Sequence, residues 1–298
     1  MSDIPFHRDL AFDYGRVDQL SPLIRRVIAR NPSPFTFHGT GTYIIGHGDV
    51  AVIDPGPDLP DHRQALLDCL DGERVSHILI THTHDDHSGG ARAFQAAVDA
   101  PTYGFAAHPS SHEQDQVEAG ADEAFTPDHR LAEGDVLAGA GWRLETLHTP
   151  GHLSNHLCFA LPAEAALFTG DHVMGWSTSV IVPPNGHMGD YIRNMERLLD
   201  RPDRIYYPTH GAPIAEPQPF VRALIRHRRE REANILACFG ENITTVTAIV
   251  ERLYRDVPRH LHAAAAQSVQ AHLIHLQEQG RIGLDDQNRL RLRTTQAG

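Results

Sequence analysis

From Thr40 to Gly211 short apolar runs alternate with amphipathic segments. The runs at 42–46 (TYIIG), 50–54 (VAVID) and 77–80 (HILI) have the length and β-branched content of strands. Gly46, Gly48, Asp49 and Pro55 supply the turns that separate or end them. Residues 60–70 predict a helix, as do residues 189–199, where Ile192, Met195, Leu198 and Leu199 repeat at helical spacing. Further strands are predicted at 142–147, 156–161, 166–170 and 204–207. This succession predicts a layered α/β or α+β sandwich.

After Gly211 the texture changes. Pro213, Pro217 and Pro219 lead into a helix of about 20 residues, and VTAIVERLY then sets Val246, Ile249, Val250 and Leu253 on one helical face. A third helix is predicted from about His262 to Gln279, stopped by Gly280, with Val269, Leu273 and Leu276 as its core stripe. RIGL and RLRLR, joined by DDQN, alternate as a hairpin does. Three helices and a hairpin are the order of a winged helix, so the chain divides into a layered first domain over 1–216 and a helical linker with winged helix over 217–298. The third helix contains no Arg or Lys over 261–280, which removes the side chains that contact phosphates and argues against a duplex-DNA reader. The Arg-rich stretch RHRRERE (226–232) interleaves its acids, which predicts a solvated, self-paired helix face.

Charge sharpens the division. The 298 residues carry a net charge of −12, and all 26 basic residues are Arg. Before Pro217 the balance is 14 − 30 = −16 and after Glu216 it is 12 − 8 = +4. A body this acidic repels polyanions at long range, which disfavours RNA as the main ligand. Cys69, Cys158 and Cys238 are widely spaced and form no C-x-x-C, so they read as small buried apolar residues. The start of the chain lacks a basic and apolar leader, and no stretch approaches the roughly 18 apolar residues that cross a bilayer. The expectation is a cytoplasmic protein with no membrane partner.

Chemistry concentrates in THTHDDHSGG (81–90), where His82, His84, Asp86 and His87 fall in the order H-x-H-x-D-H. With 22 His in the chain, composition alone places such a spacing somewhere with a probability of roughly 1 in 100. An H-x-H pair at a strand end points both imidazoles to one side. A turn beyond it can swing Asp86 and His87 toward a second position, with Ser88 as the cap of a helix formed by SGGARAFQAAV. Three later stretches, each after a predicted strand, supply further donors: TPGH with His152, TGDH with Asp171 and PTHG with His210.

THTHDDHSGG, TPGH, TGD and PTHG, in that order, resemble the metallo-β-lactamase superfamily. GTGTYIIGHGDVAVIDPGP resembles its opening strands, and HRREREANIL followed by a winged helix resembles the glyoxalase II-like branch that contains β-lactamase-like protein 2. The resemblance implies an α+β fold, a four-layer αβ/βα sandwich with a small C-terminal winged helix. It implies one metal held by His82, His84 and His152, another held by Asp86, His87 and His210, and Asp171 as their bridge. Donors of this kind without Cys suit two zinc ions, with iron or manganese compatible. Two such ions acidify a shared water and polarise the oxygen under attack, so Asp86 and Asp171 are the carboxylates closest to the chemistry and the reaction is hydrolysis. Asp54 is implied to orient a ligand from behind, and His156, His172 and His187 are candidates for substrate contact or proton donation.

The principal β-lactamases of this superfamily place Cys or Ser where this chain has Asp171, so the resemblance turns toward its thioesterase, lactonase and phosphodiesterase branches. A thiolate leaves without assistance, whereas an alkoxide or an RNA 5′-oxygen benefits from a positioned acid that the sequence does not identify. The reading favours a small-molecule ester, thioester or lactone hydrolase. The alternatives are a single-strand endoribonuclease or phosphodiesterase, which the resemblance to β-lactamase-like protein 2 implies, and a nucleic-acid-binding regulator with a vestigial metal site.

Overall fold

The computed structural model describes residues 4–108, 120–285 and 289–293. Its strands are apolar on both faces, and that decides the architecture. In β3 (Gly41–Ile45) Tyr43 and Ile45 face one core while Ile44 faces another. In β4 (Asp49–Ile53) Ala51 and Ile53 alternate with Val50 and Val52 in the same way. The second sheet repeats the rule, since Leu157, Phe159 and Leu161 of β10 (Leu157–Leu161) face inward while Cys158 and Ala160 face outward. A strand of period two that is apolar at every position must be covered on both sides. Two sheets therefore pack face to face, and each receives helices on its outer face, giving the four-layer sandwich.

The first sheet runs in chain order, from β1 (Val17–Gln19) and β2 (Ile24–Ile28) through β3 and β4 to β5 (Arg74–Leu79), β6 (Thr102–Gly104) and β7 (His129–Arg130). Its first four strands pair antiparallel, and from β4 onward the pairs are parallel. Helices α1 (Pro60–Cys69) and α3 (Ala91–Val98) cover its outer face through Leu66 and Phe94, with the single turn α2 (Asp85–Ser88) between them in the chain. The second sheet has the order β12 (Ile205–Pro208), β11 (Ala166–Gly170), β10, β9 (Trp142–His148), β8 (Val136–Gly139). Because β10 is antiparallel to both β9 and β11, and β11 is parallel to β12, the C-terminal ends of β9, β11 and β12 open on the same edge.

The N-terminal strands β1 and β2 were not expected from the sequence. β2 reads IRRVI, and two adjacent arginines interrupt its apolar run. Both are buried and partnered: Arg25 lies 2.6 Å from Glu73, and Arg26 lies 3.0 Å from Asp18 and donates to the Gly211 carbonyl. Strands β6 and β7 have three and two residues, too few for a period to emerge. Cys158 and Cys238 are buried, whereas Cys69 is only half-buried because it closes the last turn of α1 at the surface.

α4 (Met188–Leu198) and the first half of α5 (Pro217–Gly240) cover the second sheet, with Met195, Leu198, Phe220 and Leu224 packed on Leu167 and Tyr206. The far end of α5 belongs to another core. Ile235, Cys238 and Phe239 pack with Ile249 of α6 (Val246–Leu253), Val269, Leu273 and Leu276 of α7 (His262–Glu278) and Ile282 of β13 (Ile282–Leu284), which pairs antiparallel with β14 (Leu290–Leu292). Residues 286–288 of the expected DDQN turn lie outside the described residues. The stretch 226–232 is not a self-paired solvent face. Arg228 and Glu232 are buried, Arg228 donates to the Ser179 carbonyl, and Glu232 accepts from His272 and His275 of α7 at 3.3 and 2.8 Å. Helical spacing turns these two charges inward, toward partners on other elements. Among the described residues no helix is long and apolar enough to cross a membrane.

Because α5 gives one end to each core, the two cores are expected to unfold together. Leu224→Ala and Leu276→Ala should each cost about 2–5 kcal/mol and lower the midpoint of one shared transition. Two separate calorimetric endotherms, each moved by one substitution only, would show that the helix does not couple them.

Candidate metal centre

All the candidate donors sit just beyond strand ends on one edge of the sandwich. β5 ends at Leu79, so His82 and His84 are not strand residues and strand alternation does not aim them. The loop does so instead, bringing His82 Nε2 within 2.9 Å of His84 Nδ1. His84 then precedes the single turn α2, which carries Asp86 and His87. Ser88 caps no helix. It lies inside that turn, its hydroxyl donates to Asp122 at 2.7 Å, and the position before α3 is Gly90 without a side-chain cap. His152 follows β9, Asp171 follows β11 and His210 follows β12. Two glycines fix this geometry. Gly170 has φ +50°, and a Cβ there would fall 2.6 Å from His156 Nε2. Gly151 has φ +150°, and a Cβ there would fall 2.4 Å from the Tyr191 backbone. TGD and PGH therefore need glycine before their donors because no side chain fits.

The seven donors form interlocking triads whose ligand atoms lie within 4.8 Å of one another: His82, His84 and His152; Asp86, His87 and His210; and His82, His87 and Asp171 across the two. His152 Nε2 is 3.2 Å from His84 Nδ1. His210 Nε2 is 3.1 Å from Asp86 Oδ2 and 3.5 Å from Asp171 Oδ1, and His87 Nε2 is 3.6 Å from both carboxylates. These separations bracket the roughly 3.4 Å edge of a tetrahedron with bonds of about 2.0–2.1 Å. His87 Nε2 and Asp171 Oδ1 are buried without a hydrogen-bond partner, in the centre of the cluster. The donors fit divalent cations, and the opposite ring nitrogens are already held. His87 Nδ1 meets Asp54 at 2.8 Å, His152 Nδ1 meets the Val180 carbonyl at 2.7 Å, and His210 Nδ1 meets the Gly39 carbonyl at 3.2 Å. Such contacts orient each ring and turn its other nitrogen into the cluster.

Electrostatics separates the two halves. Burial, with the neighbouring imidazoles, holds His82 and His152 below the usual histidine range and pushes His84 down to about 3. Burial also acts against ionised Asp86 and Asp171, yet His87 and His210 hold both below the usual carboxylate range. The reverse applies to the partners. Burial disfavours their charge, but Asp86 and Asp171 raise His87 well above its ordinary value and Asp171 leads in pushing His210 up to about 10. Asp54, Asp86 and Asp171 are 0%, 6% and 6% exposed, and among the described residues their ion-pair partners are histidines only. Three buried carboxylates without a guanidinium call for cations.

The remaining candidates do not join the cluster. His156 is fully buried, its Nδ1 2.8 Å from Thr149 Oγ1 and its Nε2 accepting from the Asp171 amide at 3.2 Å, so it supports the bend that carries Asp171. His172 is also fully buried, with neither ring nitrogen partnered, and lies edge-on to Tyr191. His187 caps α4 and meets Glu278 of α7 at 3.0 Å, at the seam with the winged helix. Sequence reasoning missed Thr81 and Thr209, both of which donate to Asp54. Their place in T-H-T-H and P-T-H was a usable signal. The carbonyls of Gly39 and Val180 had none, since any residue supplies a carbonyl.

The profile of the Metallo-beta-lactamase superfamily matches residues 36–210, and that of the Beta-lactamase associated winged helix domain matches residues 245–289. The chain is 32% identical over 279 residues to the Beta-lactamase-like protein 2 homolog of Drosophila melanogaster, covering 89% of this chain and 91% of that protein. It is 30% identical over 250 residues to the Atrochrysone carboxyl ACP thioesterase of Claviceps purpurea (strain 20.1), covering 80% of this chain and 74% of that one. The crystal structure of a Beta-lactamase domain protein from Burkholderia ambifaria superposes with a TM-score of 0.79 over 96% of both chains, at 19% identity, a likeness of fold alone.

Two outcomes are expected of the cluster. A ligating imidazole must be neutral. In the metal-free protein His87 and His210, raised by their carboxylates, hold protons at neutral pH, whereas lowered His82, His84 and His152 do not. Zinc uptake at the Asp86 side should therefore expel up to two protons and tighten as pH rises from about 6 to 8, while uptake at the His84 side stays flat. Calorimetry in buffers of different ionisation enthalpy reads this directly, and a buffer-independent heat would contradict it. Asp54→Asn should weaken metal affinity by about 10–100-fold with the fold retained, since it loosens His87 from behind. Unchanged affinity would leave Asp54 a turn residue and nothing more.

Proposed function

The chain belongs to the metallo-beta-lactamase superfamily, and from that membership we propose a dinuclear metal-dependent hydrolase of small esters, thioesters or lactones, with thioesters foremost. The observation that carries this reading is the pair of buried triads beside Asp171 with, among the described residues, no guanidinium paired to their carboxylates. His82, His84 and His152 would hold one ion, Asp86, His87 and His210 the other, and Asp171 would reach both. When bound, two such ions acidify a water and polarise the carbonyl under attack. Nitrogen and carboxylate donors favour zinc, and iron or manganese suit the same set.

The protein's part is to hold these donors still in a nearly dry edge, where electrostatic interactions are strong. Asp54 keeps His87 aimed inward, and His156 fixes the amide of Asp171. A thiolate, whose conjugate acid has a pKa near 8.5, departs without a proton donor, so a thioester asks least of such a site. His156 and His172 are fully buried, and this reading assigns neither of them the role of proton donor. The thioesterase name of one relative supports the same bond.

The test is a panel of acyl thioesters, lactones, phosphodiesters, single-stranded RNA and β-lactams, offered to protein whose metal content has been measured. Metal content near two per chain is expected, with thioester turnover in the range of a native substrate, above roughly 10⁴ M⁻¹s⁻¹ in kcat/KM. Penicillins and cephalosporins should be turned over negligibly, and Asp171→Asn should abolish thioester turnover with the fold intact. Full activity at one metal per chain would refute the dinuclear reading. Cleavage of single-stranded RNA with thioesters untouched would replace the hydrolase reading with an endoribonuclease.

A further inference from the structure

Between the two domains lies a cavity of about 560 Å³ that the cluster itself does not line. Phe6, Phe35, Met174, Trp176, Val180 and Leu261 give it apolar walls. Its basic lining residues are His227, Arg228 and Arg231, all from α5, and among the described residues no carboxylate lines it. In a chain of net charge −12 this is an unusual local excess of positive charge. Arg228 is 3% exposed, donates to the Ser179 carbonyl, lies 5.3 Å from the Tyr191 ring centroid, and has a buried Nε without a partner. Arg231 is half-buried with its guanidinium 4.3 Å from the Tyr254 ring centroid. Neither has a carboxylate partner among the described residues. A buried guanidinium without a counter-ion, as at Arg228, is costly, and an aromatic face and a carbonyl offset only part of that cost.

The cavity also adjoins the metal centre. Val180 lines it and accepts from His152 Nδ1, while Ser179 lines it and its hydroxyl donates to the Asp171 carbonyl. One segment, 177–180, is thus both a wall of the cavity and a support of two candidate ligands.

We propose that this interdomain cavity binds the part of the substrate that is apolar and carries an anionic group, with Arg231 engaging the anion and setting specificity. The assignment rests on the hydrolase reading above for the word substrate, but the anion site stands on the cavity alone. Carboxylate on the acyl side and phosphate on the leaving thiol present the same chemistry to a guanidinium. The location of the anion is therefore a matter for the substrate arms of the test.

The probe is octanesulfonate, an anionic apolar molecule and a weak metal ligand, with octanol as its neutral counterpart. Binding to the full chain is read by calorimetry and by emission of Trp176, one of two tryptophans. Saturable sulfonate binding is expected with and without bound metal, at least tenfold weaker in Arg231→Gln and partly restored in Arg231→Lys, with octanol affected much less. Equal sulfonate affinity in Arg231→Gln, or binding that disappears when metal is chelated, overturns the site. In turnover, a dicarboxylic monothioester of a simple thiol is compared with a neutral acyl thioester of a phosphorylated thiol. KM should rise about tenfold in Arg231→Gln for the arm whose anion lies in the cavity, with kcat little changed. If neither arm responds, the cavity is not a substrate subsite. If no thioester is turned over at all while the sulfonate result holds, the failure belongs to the hydrolase reading.

Discussion

Asp54 is the knot at which this structure closes. Its carboxylate is fully buried and receives the Thr81 amide at 2.8 Å, the Thr81 hydroxyl at 2.7 Å, the Thr209 hydroxyl at 3.2 Å and His87 Nδ1 at 2.8 Å. These partners lie after β5, after β12 and in α2, so one side chain ties both sheets and the ligand turn together at the open edge. Its backbone has φ +50°, a left-handed conformation uncommon outside glycine and among those that Asp tolerates best. A carboxylate removed from water needs its donors, and the donors here are the residues that carry the donor cluster. Folding of the edge and preorganisation of the cluster are consequently one event.

The same economy appears farther out. His152 is held by a carbonyl from 177–180, His210 by one from the loop before β3, and Asp171 by the ring of His156. Each support comes from a different element, so a shift of any one loop would move a candidate ligand. Function at such a site depends on positions held to within a fraction of an ångström, which explains why polar groups are buried here at a density that a stability argument alone would not favour.

How much of this was legible in the sequence varied with the kind of signal. β3, β4, β10 and β11 were readable because their apolar runs are uninterrupted, and α4 because its stripe repeats at helical spacing. β2 was hidden by Arg25 and Arg26, whose burial depends on Glu73 and Asp18, partners remote or unremarkable in sequence. The clustered donors stood out because His and Asp beside Gly after a strand are local patterns. His82 and His84 converge by a loop path and not by strand alternation, so the proximity was anticipated for a reason the structure does not use. The cavity was invisible, since its walls come from the N-terminal stretch, the 174–180 loop, α5 and the winged helix, and no local pattern encodes a space between them.

The winged helix is best understood through α5. In a nucleic-acid reader the third helix presents basic residues to a groove, whereas here α7 turns Val269, Leu273 and Leu276 into its own core and Ala271 into the core of the catalytic domain. His272 and His275 reach Glu232, and Glu278 reaches His187 at the start of α4. The apolar stripe thus closes the winged helix's own core, while Ala271 and Glu278 join it to the larger domain. Arg228, one turn before Glu232 on α5, reaches the Ser179 carbonyl, and Ser179 in turn supports the Asp171 backbone. Through Arg228 and Ser179, α5 is thus mechanically continuous with the loop that follows the candidate bridging carboxylate.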